Sequence, residues 1–256
     1  MSLIPIKKGV FMKENIAYFS MEIGLRPEIP TYSGGLGILA GDTIKSCADL
    51  GVPLIGITLL SEKGYFHQSF DQNNWQQETP VNWNKQDFLE LMPNKFSVEI
   101  EGRTIRLQAW KLVVEGIDGH RVDIYYLDSD IEENSAYDRT LTAHLYGGDH
   151  WYRMCQEIIL GIGGVKLLRS LDIPVKKYHM NEGHAAFLIL ELIKEQLKKS
   201  ISSCSDEFIA STIKEKTVFT THTPVPAGHD TFQTQWIEQA LGKSYPITHL
   251  NCIKEG

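Results

Sequence analysis

Three short stretches of this 256-residue chain bring together residue types that bind anions and polyols. The first is Tyr32-Ser33-Gly34-Gly35-Leu36-Gly37-Ile38-Leu39-Ala40-Gly41-Asp42, with four glycines where a loop passes into an amphipathic helix. Glycine lets a ligand approach the backbone closely, and N–H groups at a helix N-terminus attract phosphate or another anion. The second is Asn181-Glu182-Gly183-His184. A carboxylate and an imidazole so near each other at the start of a helix suit hydrogen bonding to sugar hydroxyls. The third runs from His222 through Thr223-Pro224-Val225-Pro226-Ala227-Gly228 to His229 and Asp230. His222 ends an apolar strand there, and the prolines stiffen the loop that follows.

Each stretch also has a plainer reading. The glycines suit a turn chosen only for tight packing. Asn181 suits a helix cap, and Glu182 would complement the dipole of the first helical turn. A lone His222 at a strand end suits a satisfied packing residue. Other chemistries fit less well. His179 and His184 lack the His-Glu-x-x-His spacing that places two imidazoles on one helical face, so no metal site is expected. No Gly-x-Ser-x-Gly elbow occurs. Gly35-Leu36-Gly37-Ile38-Leu39-Ala40 matches Gly-x-Gly-x-x-Ala, with Glu62 near the place of a ribose-binding acid. A dinucleotide loop should follow its strand at once, however, whereas Met21 to Ser33 intervene here. Trp75 and Trp83 suit sugar stacking and exposed packing equally. His144 and His150 flank Leu145-Tyr146-Gly147-Gly148-Asp149, where Asp149 also reads as a helix cap.

The elements that must position these stretches read as α/β. The apolar run over 16–20 predicts a buried strand, and the apolar spacing from Ile38 to Leu50 predicts a helix ended by Gly51. A second buried strand follows over 53–59, giving a β–loop–α–β opening and hence a parallel sheet. Alternation over 96–100, 103–114 and 121–127, with turns at Gly102 and Asp118-Gly119, predicts antiparallel hairpins inserted into the α/β core or flanking it. Helix returns over 151–171, where Gly161, Gly163 and Gly164 mark a close helix contact or a kink. A strand over 175–180, a helix over 182–197, a helix over 206–214 and a strand over 217–221 complete the pattern. The expected fold is one wound α/β domain over 4–254 with an antiparallel β insertion. Ligands of a wound sheet bind beyond the carboxyl ends of its strands, where the three stretches fall.

Composition narrows the class. Apolar residues make up 42% of the chain, ample for a core, and the net charge of −7 disfavours nucleic acid. No apolar run reaches bilayer length, and the segment Met1 to Lys8 lacks a signal peptide's layout, so neither a membrane nor export is expected. Cys47, Cys155, Cys204 and Cys252 form no Cys-x-x-Cys pair and read as reduced thiols of a cytoplasmic protein. Residues 1–3 and 255–256 are taken as vector-derived and set aside.

Taken together, the stretches resemble the α-glucan (glycogen and maltodextrin) phosphorylases, in particular their short bacterial and archaeal branch. The resemblance rests on Tyr18-Phe19-Ser20-Met21-Glu22-Ile23-Gly24, the 32–42 stretch, His179-Met180-Asn181-Glu182-Gly183-His184 and Phe219 to His229, in that order. Leu145 to Asp149 with Gln156-Glu157 looks similar too, and the likeness covers about residues 16–232. It implies the N-terminal half of a two-domain Rossmann-like glycosyltransferase of GT-B type, with its active site in the cleft between domains. The implied reaction is attack of inorganic phosphate on an α-1,4-glucan, releasing glucose 1-phosphate with retained configuration. By that resemblance Gly34, Gly35 and Leu36 would line the phosphate and glucosyl site through backbone N–H groups. Glu182 and His184 would flank the sugar cleft, and His222 would be the catalytic contact to the transferred glucosyl residue. The family carries pyridoxal phosphate on a lysine of a C-terminal domain that does not appear in this sequence. Residues 1–256 alone are therefore expected to be inactive, and the family leaves a homodimer open. The alternatives are a glycogen or starch synthase half using nucleotide-activated glucose, and a non-catalytic glucan-binding module. Synthases present Lys-Thr-Gly-Gly-Leu-Gly-Asp, where this chain has Tyr32-Ser33 before the glycines and Ile38 after Gly37.

Overall fold

The computed structural model describes residues 14–199, 205–224 and 230–245. The residues read as vector-derived, Cys204, Cys252 and the loop positions 225–229 lie outside that range.

Strand β1 (Asn15–Ser20) leads through a loop to α1 (Gly35–Asp49) and then to β2 (Leu54–Leu59). The β2 sequence LIGITL is buried at every position, as expected of a parallel strand covered on both faces. Gly51, at φ +66°, supplies the left-handed residue that ends α1. An exposed two-stranded ribbon follows, β3 (His67–Phe70) against β4 (Gln76–Thr79), which the sequence pattern had not suggested. Next come β5 (Glu90–Leu91), β6 (Phe96–Ile100), β7 (Arg103–Glu115) and β8 (Arg121–Asp128). Helices α2 (His150–Ile158) and α3 (Gly164–Ser170) precede β9 (Val175–Asn181). The chain then forms α4 (Leu188–Lys199), α5 (Asp206–Lys216), β10 (Thr217–Thr220) and α6 (Thr234–Leu241).

The main sheet runs β10-β9-β1-β2-β8-β7-β5, with β6 paired to β7. Its first five strands are mutually parallel, and β7 turns antiparallel to β8. The hairpin region thus flanks the core as a continuation of the same sheet. The reason lies in β8, whose Val122 and Ile124–Leu127 are buried on both faces and need cover on each. Alternate strand residues feed two cores. Phe19, Ile57 and Leu127 face helices α2 to α6, while Tyr18, Leu54 and Tyr126 share the other core with Ala40, Ile44 and Ala48 of α1.

The glycine-rich segment between α2 and α3 is a π-helical turn, Ile159–Gly163. A Cβ on Gly161 would lie 2.6 Å from the Leu188 nitrogen, and one on Gly164 would lie 2.5 Å from the Phe19 ring. These glycines let the helix lie directly on the sheet and on α4. Of the two alternatives read from the sequence, the close helix contact is present. Asp149 caps α2, accepting the Tyr152 N–H at 2.8 Å. Asp149→Ala should cost about 1 kcal/mol in urea unfolding, the usual value of such a cap.

Candidate functional site at the carboxyl ends of β1, β9 and β10

Because β1, β9 and β10 are parallel, their carboxyl ends reach the same edge, with Asn181 opposite both Ser20 and Thr220. Asn181 is therefore the last residue of a strand, and the expectation that it caps a helix is corrected. Its amide donates to Ser20 Oγ at 3.1 Å, and its Oδ1 lies 2.9 Å from His222 Nε2. With the amide nitrogen spent on Ser20, the oxygen faces the imidazole, so His222 carries its proton on Nε2.

Glu182 departs further from expectation. It does not open a helix; a 3₁₀ turn, Gly183–Ala185, follows it, and α4 begins only at Leu188. Its backbone sits at φ 65°, ψ −179°, a region open essentially to glycine. The carboxylate supplies the compensation. Oε1 accepts the His222 N–H and the Thr223 N–H at 3.0 Å, and Oε2 accepts the Thr221 hydroxyl at 3.1 Å. The Glu182 N–H donates to the Thr220 carbonyl at 2.9 Å. Burial works to raise its pKa, yet the donors from His222, Thr223 and Thr221 prevail and hold the carboxyl below its ordinary value. A buried anion thus fixes the backbone on either side of His222.

The glycine loop is held by a residue the sequence reading had left without a role. Glu22 is buried, and its Oε2 accepts the N–H groups of Ser33 at 2.6 Å and Gly34 at 3.1 Å. The Gly34 N–H is therefore already bound within the chain, which corrects its expected use toward a ligand. Gly35 and Leu36 occupy the first turn of α1, where no side chain caps the helix. Ideal Cβ atoms on Gly34 and Gly35 would meet nothing within 4 Å, whereas one on Gly37 would meet Tyr32 Cβ at 2.5 Å and Glu22 Oε2 at 2.8 Å. The four glycines divide by purpose: Gly37 and Gly41 are demanded by packing, Gly34 and Gly35 are not.

Glu22 also links this loop to His184. Its Oε1 accepts the Tyr146 hydroxyl at 2.8 Å, and the Tyr146 ring lies 5.7 Å from the His184 ring. Tyr146 adopts a left-handed φ of 54°, a second strained non-glycine position at this edge. The Arg153 guanidinium stacks over Tyr146 at 4.3 Å, and its Nε donates to Asp230 Oδ2 at 2.9 Å. Burial, reinforced by the Arg153 charge, depresses the His184 pKa, so this imidazole is neutral at pH 7. His179 bonds to Thr220 Oγ1 through Nε2 at 2.7 Å and packs edge-on against Tyr18. A chain of contacts links Gly34 to His184 through Glu22 and Tyr146, and links Glu22 to His222 and Glu182 through Ser20 and Asn181.

Several weaker readings resolve in the same geometry. Glu62 pairs with Lys85 at 3.2 Å, a structural use for the residue weighed as a ribose ligand. Trp83 packs on Phe88 beside the second core, while Trp75 stays exposed at the ribbon. Sequence reasoning missed Glu22, Arg153 and the anchoring use of Asp230. A lone acid between Met21 and Ile23 was the available signal for Glu22.

Comparison with known proteins places this edge in context. The family model described as carbohydrate phosphorylase matches residues 27–145. The chain is 40% identical over 238 residues to a maltodextrin phosphorylase of Thermococcus litoralis, covering 90% of this chain and 28% of that protein. It is 42% identical over 237 residues to a glycogen phosphorylase of Mycobacterium tuberculosis, covering 88% and 27% respectively. A glycogen phosphorylase of Aquifex aeolicus is 34% identical over 233 residues, covering 89% of this chain and 33% of its own length. The chain spans a third or less of the length of these relatives.

Proposed function

Because this chain belongs to the carbohydrate phosphorylase family, we propose that it forms the N-terminal, glucan-side part of an α-1,4-glucan phosphorylase. In this reading the full-length protein transfers a glucosyl unit from the glucan to inorganic phosphate and releases glucose 1-phosphate. The observation that carries it is the meeting of the Gly35-Leu36 helix start, Glu182, His184 and His222 along one rim. The division of labour follows from their chemistry. The uncapped first turn of α1 offers N–H groups and a positive dipole end to the incoming phosphate. A neutral His184 and the His222 ring offer hydrogen bonds to sugar hydroxyls. The His222 carbonyl, in a backbone fixed by Glu182, would favour the positive charge that develops on the departing sugar. Residues 4–254 act as one Rossmann-like half of a GT-B type cleft, in a cytoplasmic protein.

Pyridoxal phosphate, which the family implies, does not fit either Lys85 or Lys166. Lys85 is tied to Asp128 and Glu62, each at 3.2 Å, and these carboxylates hold its amine charged against the cost of burial. Lys166 has a depressed pKa from burial, but it donates to the Ser97 carbonyl at 2.9 Å beside β6, away from the rim. Among the described residues neither offers an amine to the cofactor at this edge. The attachment lysine belongs, in this proposal, to polypeptide outside residues 1–256, and the isolated segment is inactive.

Gly35→Ala tests the reading directly. With free space around its Cβ and a helical position, the change should leave stability unaltered or raise it by about 0.5 kcal/mol. Phosphorolysis of maltoheptaose by the full-length protein should nevertheless fall about tenfold or more, since the methyl group intrudes where the anion meets the backbone. Unchanged rates in the variant, or glucose 1-phosphate release by residues 1–256 alone, would overturn the assignment. Turnover of nucleotide-activated glucose in place of glucose 1-phosphate would favour the synthase alternative.

A further inference from the structure

The polar cluster behind His184 holds one carboxyl group too many for its cations. Glu157, Asp230 and Arg153 meet there with His184, and Glu157 is 3% exposed. Glu157, His184 and Asp230 each bring a nitrogen or oxygen within 4.8 Å of the others, a spacing that would suit a cation. Arg153 already fills that role, since its Nε holds Asp230 Oδ2 at 2.9 Å. One guanidinium balances one carboxylate. A second buried anion beside Asp230 would be repelled and desolvated, so the pair is stable only when it shares a proton.

We propose that Glu157 is a positioning residue: a neutral carboxylic acid that donates a hydrogen bond to Asp230 and clamps that carboxylate between Arg153 and the His184 ring. The role concerns the same rim, and only its consequence for sugar chemistry rests on the function proposed above. Glu157 belongs to the last turn of α2, while Asp230 lies eight residues after His222 in sequence. The clamp therefore ties Asp230 to α2, as Glu182 ties the backbone at His222 and Thr223 to the end of β9. His184 Nε2 stands 4.0 Å from Asp230 Oδ2. Its Nδ1 and Glu157 Oε1 are buried without a hydrogen-bond partner among the described residues.

The electrostatics agree with the geometry. Burial first, then the Asp230 hydrogen bond and charge, push the Glu157 carboxyl up to about 9, while Arg153 pulls weakly the other way. Asp230 moves oppositely: burial would raise it, but the Glu157 donor and Arg153 hold it below its ordinary value. The groups facing the cluster are Arg153 on α2, Asp230 beyond β10, His184 after β9 and the Tyr146 phenol, which lies against Arg153 and His184. His184 in turn feels Glu182 and Glu22.

The test compares wild type, Glu157→Gln and Glu157→Ala in the full-length protein by two readouts. The first is thermal melting against pH. A carboxyl that stays protonated when folded but ionises when unfolded loses stability as pH rises from its unfolded pKa toward 9. The glutamine variant should therefore match wild type near pH 4 and melt several degrees higher by pH 8. The second readout is the pH profile of maltoheptaose phosphorolysis. Glutamine, which still donates to Asp230, should keep kcat/KM within about threefold and lack the alkaline limb expected of wild type near pH 9. Alanine should lower kcat/KM about tenfold or more at every pH. Glutamine melting parallel to wild type at all pH values, or losing as much activity as alanine, would overturn the proposal. If wild type shows no phosphorolysis, the functional reading fails while the melting comparison still decides the state of Glu157.

Discussion

Replacing Glu182 by alanine is expected to lower folding stability by about 3 kcal/mol and to slow phosphorolysis by about 10²-fold or more. The first figure follows from the N–H groups of His222 and Thr223 and the Thr221 hydroxyl, all of which lose their acceptor. The second follows because the Glu182 carboxylate holds the backbone N–H groups at His222 and Thr223, and the His222 carbonyl and ring are assigned to the transferred sugar. Alanine also inherits the φ 65° backbone without the bonds that compensate it. Glu182→Gly separates the two effects: it should recover about 1–2 kcal/mol of stability relative to alanine and none of the activity. Urea unfolding and initial rates measure both. The pH dependence has a definite sign. The folded carboxyl titrates below its ordinary value of 4.5, so its stabilisation is complete above that pH and is lost as pH falls through the lowered value. The stability gap between wild type and alanine should be constant at neutral pH and shrink as pH falls below 4.5. A gap independent of pH, or an alanine variant with full activity, would show that this carboxylate does not hold the loop.

Gly41→Ala should be strongly damaging to folding. Its Cβ would fall 1.9 Å from the Gly24 carbonyl oxygen and 2.7 Å from the carbonyl carbon. No rotamer change relieves a clash with backbone, so α1 must move away from the loop after β1. That motion would break the Gly24 N–H bond to the Gly37 carbonyl, now 2.8 Å. It would also pull Ser33 and Gly34 away from Glu22. The expected loss is about 3 kcal/mol or more, above the usual cost of overpacking because neither partner can yield. Activity should fall with it, since α1 carries the helix start assigned to phosphate. The same substitution at Gly35, within one helix, should be harmless to folding. Equal stability of the two variants in urea would mean that α1 does not lie against Gly24 as described.

The α/β class was legible because it depends on local pattern. Runs of buried apolar residues in β1 and β2, and the helical spacing of Ile44 and Ala48, report their own burial. The three chemistry-bearing stretches were legible for a related reason. Parallel strands joined by helices must present their carboxyl ends at one edge, so residues that follow such strands converge. The ribbon β3–β4 was not legible: its residues are almost all exposed and carry no apolar alternation to betray them.

What the amino-acid order determined by itself was the three candidate stretches and the sheet edge that two of them, following β1 and β9, share with β10. Tertiary structure alone decided how they are used. Local rules assign Asn181 and Glu182 to a helix start, because cap and dipole are the nearest partners the chain offers. The register of β9 against β1 and β10 instead offers Asn181 to Ser20 and His222, and Glu182 to backbone 40 residues onward. A buried carboxylate surrounded by such donors gains more than a helix dipole at the surface can return.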